Sequence, residues 1–231
     1  MLKGLFLSFV VFLGGAAGAR AQDAVKVDPD HHKVEFENDQ IRVVRMTYPP
    51  GYKTPMHSHL PGVTVMLSRA KVHSWNQGAA ETDTESEMGA VSWSDGTAVH
   101  ANQVTGDRPL ELVRVEIKKK GGHAVTPTEH DSVKVDPAHH KIEIENDQVR
   151  VVRLTYPAGY EAPLHDHLPG INITTKDRTL EAVYQGQPPA AAALVKAGTV
   201  GDLSQGGPPH TTKNVGASVG EAVRVELKTK L

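Results

Sequence analysis

The chain has 231 residues, 39% of them hydrophobic, and a formal net charge of −2 at pH 7, which is typical of a soluble globular protein. The small charge argues against nucleic acid or an anionic membrane surface as a partner. Cysteine is absent, which excludes disulfides, thiolate metal sites and cysteine nucleophiles, whereas histidine is abundant with 13 residues.

The first 21 residues have the pattern of a cleaved secretory signal. Lys3 provides a positive start, residues 4–18 are apolar or small, and Ala19-Arg20-Ala21 fits a signal peptidase site. A membrane anchor is the alternative, but the apolar run is short for a spanning helix. The mature chain is therefore expected to begin at Gln22 and to be secreted, or periplasmic in a Gram-negative source, with no membrane association after cleavage.

The remaining chain contains an internal repeat of domain length. Residues 22–118 form the first copy, 119–131 a Gly- and Pro-containing linker and 132–231 the second copy. Three matched pairs of segments show the repeat: Val25–Pro29 with Val133–Pro137, Tyr48–Tyr52 with Tyr156–Tyr160, and Val113–Lys118 with Val223–Lys228. We therefore expect two small domains, which either form one compact unit or pair with another chain.

Each copy has the pattern of short β-strands. Apolar and polar residues alternate before a turn at Asn38-Asp39, a second strand is predicted at Ile41–Tyr48, and Val113–Lys118 alternates again as a closing strand. The alanine-rich segment Ala190–Lys196 fits either a short helix or a loop. No long stretch has helical periodicity, so the predicted fold class is all-β, with a sandwich or barrel in each half.

Histidines recur at metal-ligand spacing in both copies. Alternate residues of a strand face the same side, so the histidines of His57-Ser58-His59 are expected to project together, as are those of His165-Asp166-His167. A later histidine, His100 or His210, would complete a three-imidazole site with open coordination positions. A surface or packing pair is the alternative for each His-x-His.

These motifs resemble those of the cupin superfamily. A glycine followed after five residues by His-x-His, as in Gly51 with His57 and His59, looks like the first cupin motif, and the second copy repeats it from Gly159. The late histidines resemble the second, less specific cupin motif. The resemblance covers nearly all of both repeats and implies two tandem jelly-roll β-barrels, a bicupin, with a divalent metal: iron first, or manganese, nickel or zinc.

One departure from the cupin pattern bears on function. The glutamate that usually follows the His-x-His pair is replaced by Val63 or Thr64 in the first copy and by Ile171 or Asn172 in the second. Oxalate-processing cupins use that glutamate, so the resemblance to them loses weight. Cupin dioxygenases with three histidines on iron fit this ligand set better.

Other polar residues are weaker candidates. Arg45 and Arg153 could face the barrel and bind a carboxylate substrate, or could be surface arginines paired with glutamates. Tyr52 and Tyr160 could line the barrel mouth or only pack the turn. The pairs His31-His32 and His139-His140 are interpreted as edge or packing residues.

The sequence leaves three functions open. The first is a metal-dependent dioxygenase, lyase or isomerase that acts on a small organic acid, enol or phenol. The second is a non-catalytic cupin that binds a small molecule, and the third is a structural protein whose histidines only pack. No residue is assigned a catalytic role beyond metal ligation.

Overall fold

The computed structural model describes residues 22–96 and 98–230, so the predicted signal segment lies outside the described residues. The first half consists of the helix α1 (Ala24–Val27) and the strands β1 (His32–Glu37), β2 (Ile41–Tyr48), β3 (Gly62–Met66), β4 (Ala70–Asn76), β5 (Thr82–Ser86), β6 (Val91–Ser94), β7 (His100–Val104) and β8 (Leu110–Ile117). A short strand, β9 (His123–Ala124), lies in the predicted linker and pairs with the last strand, β19 (Thr229–Lys230).

The second half repeats this order. Its elements are α2 (Ser132–Val135), β10 (His140–Glu145), β11 (Val149–Tyr156), β12 (Glu161–His165), β13 (Gly170–Lys176), β14 (Arg178–Tyr184), β15 (Ala193–Val195), β16 (Val200–Leu203), β17 (His210–Asn214) and β18 (Gly220–Leu227). The all-β prediction is confirmed. The alanine-rich segment contains the short strand β15 rather than a helix. None of the described helices is long and apolar enough to cross a membrane.

Each half contains a five-stranded sheet and a smaller sheet. The large sheets have the equivalent orders β1-β2-β8-β3-β6 and β10-β11-β18-β13-β16, and the small sheets are β5-β4-β7 and β12-β17-β14-β15. Gly51 and Gly159 have φ of 79° and 75°, a left-handed conformation that glycine adopts without strain. They turn the chain out of the large sheet towards the histidines.

The central strands of the large sheets are buried on both faces. In β2 one set of alternate residues, including Val44 and Met46, packs inside its own half against Val72 and Val104 of the small sheet. The other set, including Ile41 and Val43, belongs to a different core. Burial of both faces explains why these strands contain long apolar runs.

The two halves share that second hydrophobic core. Val43 and Val115 of the first half and Ile171 and Val225 of the second are fully buried in one continuous cluster. The large sheets therefore pack face to face, and the chain forms one compact unit, one of the two arrangements that the sequence left open.

The shared core predicts that the halves unfold together. Ile171→Ala removes a fully buried side chain from the common cluster and is expected to cost about 2–5 kcal/mol of unfolding free energy. Ile142→Ala is the control, because Ile142 is 41% exposed and should change stability far less. Urea unfolding of each variant, followed by circular dichroism, should show one transition. Two separate transitions, with only one shifted by Ile171→Ala, would contradict a shared core.

Candidate metal centres and the adjoining cavity

Three histidines of the first half converge at one end of its interior. One nitrogen from each of His57, His59 and His100 lies within 4.8 Å of the other two. His57 and His100 form an antiparallel bridge, in which each backbone N–H donates to the carbonyl of the other residue at 2.8 and 2.9 Å. The ring centroids of His57 and His59 are 4.8 Å apart, as their spacing predicted.

The second half brings four imidazoles together. Nitrogens of His140, His165 and His167 lie within 4.8 Å of one another. The ring of His210 is 4.5 Å from that of His165 and 5.7 Å from that of His167, close to the distances of 4.5 and 5.4 Å that His100 makes in the first half. The predicted sets of three histidines are thus assembled in both halves, with His140 as an additional neighbour.

Hydrogen bonds at Nδ1 set the orientation of the rings. His57 Nδ1 donates to the Pro55 carbonyl at 2.8 Å, and His165 Nδ1 donates to the Pro163 carbonyl at 2.7 Å. His210 Nδ1 donates to the Pro208 carbonyl at 3.2 Å. A carbonyl only accepts, so Nδ1 carries the proton and Nε2 keeps its lone pair. The Nε2 atoms of His57 and His165 are buried and have no hydrogen-bond partner.

Burial keeps the imidazoles neutral. Desolvation lowers the pKa of His57, His100 and His165, and it lowers that of His210 to about 4. Neighbouring positive groups, including Arg114 for His59 and Arg224 for His167, add to the desolvation that lowers the pKa of those two rings. Neutral rings with available lone pairs are the form that binds a metal ion.

A buried carboxylate supports each cluster. Glu226 of β18 is fully buried and accepts from Arg150 Nε at 2.6 Å, while Arg150 also pairs with Asp131 at the start of α2 at 2.5 Å. The other Glu226 oxygen has no hydrogen bond and lies 3.5 Å from His167 Nδ1, which is 3.0 Å from the Ser132 hydroxyl. In the first half Glu116 lies between Arg42 and His59 in the same way, 3.3 Å from His59 Nδ1. Carboxylates behind histidine ligands are common in metal sites.

The second half has a cavity of about 170 Å³ beside its histidines. Its polar lining includes Arg178 and Arg224, and leucines and tyrosines form much of the remainder. Tyr184 lies against His210 with ring centroids 5.2 Å apart. Arg224 is only 3% exposed to solvent. The cavity is also lined by all three predicted ligands of this half, so a small molecule there would contact them directly.

Comparison with known proteins identifies the fold. Neither protein-family models nor curated proteins match the sequence. Solved structures match the fold. The protein YhaK from Escherichia coli has a TM-score of 0.54 at 11% identity, with 87% of this chain and 89% of that chain covered. A cupin 2 conserved barrel domain protein from Leptotrichia buccalis has a TM-score of 0.52 at 8% identity, with 84% and 86% covered. The chain has a two-domain cupin fold.

Enzymes are among the similar cupin structures. Salicylate 1,2-dioxygenase from Pseudaminobacter salicylatoxidans has a TM-score of 0.53 at 10% identity, with 82% of this chain and 71% of that chain covered. Oxalate decarboxylase from Lactobacillus farciminis has a TM-score of 0.52 at 13% identity, with 84% and 78% covered. At these identities the similarity concerns the fold. In this chain the two histidine clusters could each hold a metal ion.

The predicted substrate arginines lie away from the cavity of the second half. Arg45 points from β2 towards the other half, pairs with Glu35 and Glu111, and donates to the Gly198 carbonyl at 2.5 Å. Arg153 makes the equivalent bond to the Gly89 carbonyl at 2.6 Å. Because both faces of β2 and β11 are buried, alternation could not show which face meets the cavity. The substrate-binding prediction for these arginines is corrected: they connect the halves.

The predicted mouth tyrosines pack the turn. The Tyr52 hydroxyl donates to Asp28 at 3.0 Å, and its ring lies 3.9 Å from that of His31. Tyr160 makes the matching contacts with Asp136 and His139 at 2.9 and 3.7 Å. Tyr160 is absent from the lining of the second-half cavity, which includes Tyr156 and Tyr184 instead. Of the two roles that the sequence left open, both tyrosines therefore pack the turn.

Sequence reasoning missed the buried fourth histidine of each half. His32 and His140 are each 1% exposed and lie beside the clusters, rather than at an edge. Their Nε2 atoms accept from the Tyr48 and Tyr156 hydroxyls at 2.7 and 2.8 Å, and their Nδ1 atoms face backbone carbonyls. With both nitrogens engaged, they are less available as ligands than His100 and His210. The shared Asp-Pro-x-x-His spacing was the only signal.

Because Glu226 is buried among charged groups, its replacement is expected to lower the unfolding free energy far more than replacement of the exposed Glu161. Glu226→Ala leaves Arg224 buried without a counter-charge and Arg150 with Asp131 alone, and is expected to cost about 3–5 kcal/mol. Glu161→Ala removes an exposed pair with Lys213 and should cost less than about 1 kcal/mol. Urea denaturation measures both. Equal losses would show that Glu226 does not hold the buried charges together.

Proposed function

We propose that this protein is an exported metal-binding bicupin that acts as a metal-dependent dioxygenase on a small organic acid, enol or phenol. The observation that carries the metal proposal is the buried, unpartnered Nε2 of His57 and of His165, each directed into a cluster of neutral imidazoles. An unsatisfied buried acceptor costs about 1–3 kcal/mol, which a metal–nitrogen bond would offset.

The proposed ligands are three histidines in each half: His57, His59 and His100 in the first, and His165, His167 and His210 in the second. Iron is favoured, and manganese, nickel or zinc would also suit imidazole ligands. Three neutral imidazoles leave the full charge of a divalent ion in place, which favours an anionic ligand at an open position. Such an ion supplies Lewis-acid chemistry or, as Fe(II), oxygen chemistry.

The absence of a carboxylate ligand favours a dioxygenase over an oxalate-processing enzyme. Val63 and Ile171, at one position where the cupin pattern has its glutamate, are fully buried in the core between the halves. Thr64, at the alternative position, accepts from Arg114 Nη1 at 2.9 Å. The carboxylates that lie 3.3 Å from His59 and 3.5 Å from His167, Glu116 and Glu226, are engaged by arginines.

A non-catalytic small-molecule-binding cupin is the second candidate. Within residues 22–96 and 98–230, the carboxylates beside His59 and His167, Glu116 and Glu226, are paired with arginine and are therefore poorly suited to act as general bases. A protein that only binds its ligand would need the cavity and the metal but no proton acceptor.

Metal analysis tests the shared part of both candidates. The mature protein, refolded with Fe(II), Mn(II), Ni(II) or Zn(II), is expected to bind about two ions per chain, because two clusters are present. His57→Ala with His59→Ala, or His165→Ala with His167→Ala, should each remove one ion. His123→Ala is the control, because His123 is exposed and lies in β9. No bound metal in the unmutated, folded protein would overturn the proposal.

Oxygen consumption separates the two candidates. The Fe(II)-loaded protein should consume oxygen with at least one member of a panel of small acids, enols and phenols, and the paired histidine variants should not. Saturable ligand binding without oxygen uptake or product by mass spectrometry would favour the non-catalytic protein.

Export is proposed from the composition of residues 1–21. Expression of the full chain in a Gram-negative host is expected to yield a periplasmic protein whose N-terminus, measured by mass spectrometry, is Gln22. Ala19→Asp together with Ala21→Asp should block processing, because signal peptidase requires small residues there. An uncleaved cytoplasmic product from the unmutated chain would contradict export.

A further inference from the structure

Two arginines of the second half, the buried Arg224 and the partly buried Arg178, each have an Nε without a hydrogen-bond partner at its cavity. Arg224 Nη2 donates to the Leu168 carbonyl at 2.9 Å, but its Nε has no hydrogen bond and lies 3.5 Å from Glu226. The Nε of Arg178 is also buried without a partner, and Arg178 makes no ion pair with the described residues. Arg224 has Glu226 as its counter-charge, whereas the partly buried guanidinium of Arg178 has none, which is costly unless a ligand supplies one.

The first half lacks the second of these arginines. Strand register places Ala70 of β4 where Arg178 stands in β14, and Leu110 of β8 where Gly220 stands in β18. A Cβ added to Gly220 would lie 2.5 Å from the Cβ of Arg178. The glycine therefore allows β18 and β14 to approach closely at Arg178, whereas in the first half Leu110 belongs to the apolar core.

The other arginine, Arg224, has a counterpart in the first half, Arg114, but the two make different hydrogen bonds. In the first half Arg114 donates to Thr64 Oγ1 at 2.9 Å, to the Leu60 carbonyl at 2.7 Å and to Ser94 Oγ at 3.2 Å. In the second half Asn172 replaces Thr64 and makes no side-chain bond to Arg224, although both line the cavity. Both terminal nitrogens of Arg114 thus bond to the protein, whereas only Nη2 of Arg224 does; the Nε of each arginine has no hydrogen-bond partner.

The size and lining of the cavity limit the ligand. Leu154, Leu180 and Leu203 contribute apolar surface opposite the histidines and arginines. The volume of about 170 Å³ is close to that of an engineered cavity of about 150 Å³ that binds benzene. A single ring or a short aliphatic chain would fit, with one charged group at the guanidinium end.

We infer that the second half binds a small carboxylate with an apolar body, held through its carboxylate by Arg178 and Arg224 next to the histidines, and that the first half has no equivalent anion site. Guanidinium and carboxylate pair in a bidentate geometry that also selects orientation. The inference rests on the proposed function, since it names the class of ligand that the second metal site would receive. The two halves are then specialised, with ligand binding in the second.

Calorimetric titration of the full-length, Zn(II)-loaded protein tests the anion site, because zinc has no redox chemistry. Benzoate and butyrate are the probes, with benzamide and butyramide as neutral controls of similar shape. At least one acid is expected to bind at one site per chain, and its amide should bind roughly 10-fold more weakly or worse.

Variants assign that site to Arg178. Arg178→Ala, which copies the first half, should weaken binding of the acid roughly 10- to 100-fold without loss of zinc. Arg178→Lys keeps the positive charge and tests the site should the alanine variant fail to fold. Arg69→Ala is the matched control, because its pair with Glu85 is exposed. Unchanged affinity in both folded Arg178 variants would overturn the inference.

Other outcomes separate this inference from the proposed function. Two equivalent acid sites per chain, or equal binding of acid and amide, would show that the arginines do not select a carboxylate and would overturn the inference. Absence of zinc would overturn the proposed function. Arg178-dependent binding of the acid to the zinc-free protein would still support the anion site.

Discussion

In each half one buried carboxylate holds together the parts from which the histidine cluster is built. Glu226 contacts Arg150 on the neighbouring strand, Arg224 on its own strand and His167. Through Arg150 it is connected to Asp131, the residue that caps the first helix of the half. Because a buried charge needs a counter-charge, one network of ion pairs connects the helix to the large sheet, and the second histidine of the motif lies beside it. Glu116 has the same role in the first half.

The two halves share their framework but differ at the ligand end. Equivalent residues of both halves form the core between the large sheets, and Arg45 and Arg153 make matching hydrogen bonds to the opposite half. The interiors of the halves differ, however. The first half has Ala70 and Leu110 in apolar packing, and the second has Arg178 and Gly220 at the equivalent positions, where Arg178 forms a charged wall of the cavity. A metal-binding arrangement common to both halves is therefore compatible with a binding site in only one.

Much of the fold and part of the site could be predicted from sequence. Alternation in Ile41–Tyr48 and the repeated segments indicated strands and two similar halves, and β2 begins and ends at those residues. The His-x-His pairs also converge with the late histidines. Alternation could not place Arg45 and did not single out Glu116, for one reason. Both faces of the central strands are buried, so a polar residue in the pattern can point to either core, and no local signal states which.

The sequence by itself determined the strand content, the repeat, the absence of cysteine chemistry and the histidines that meet at each centre. These properties depend on residue type and on spacing within one strand or motif. The tertiary structure alone decided which arginines reach the cavity, which glutamate supports the rings and that only the second half holds Arg178 beside its histidines. Those relationships join strands far apart in the chain, and they depend on packing between sheets and on the close approach of two strands at a single glycine.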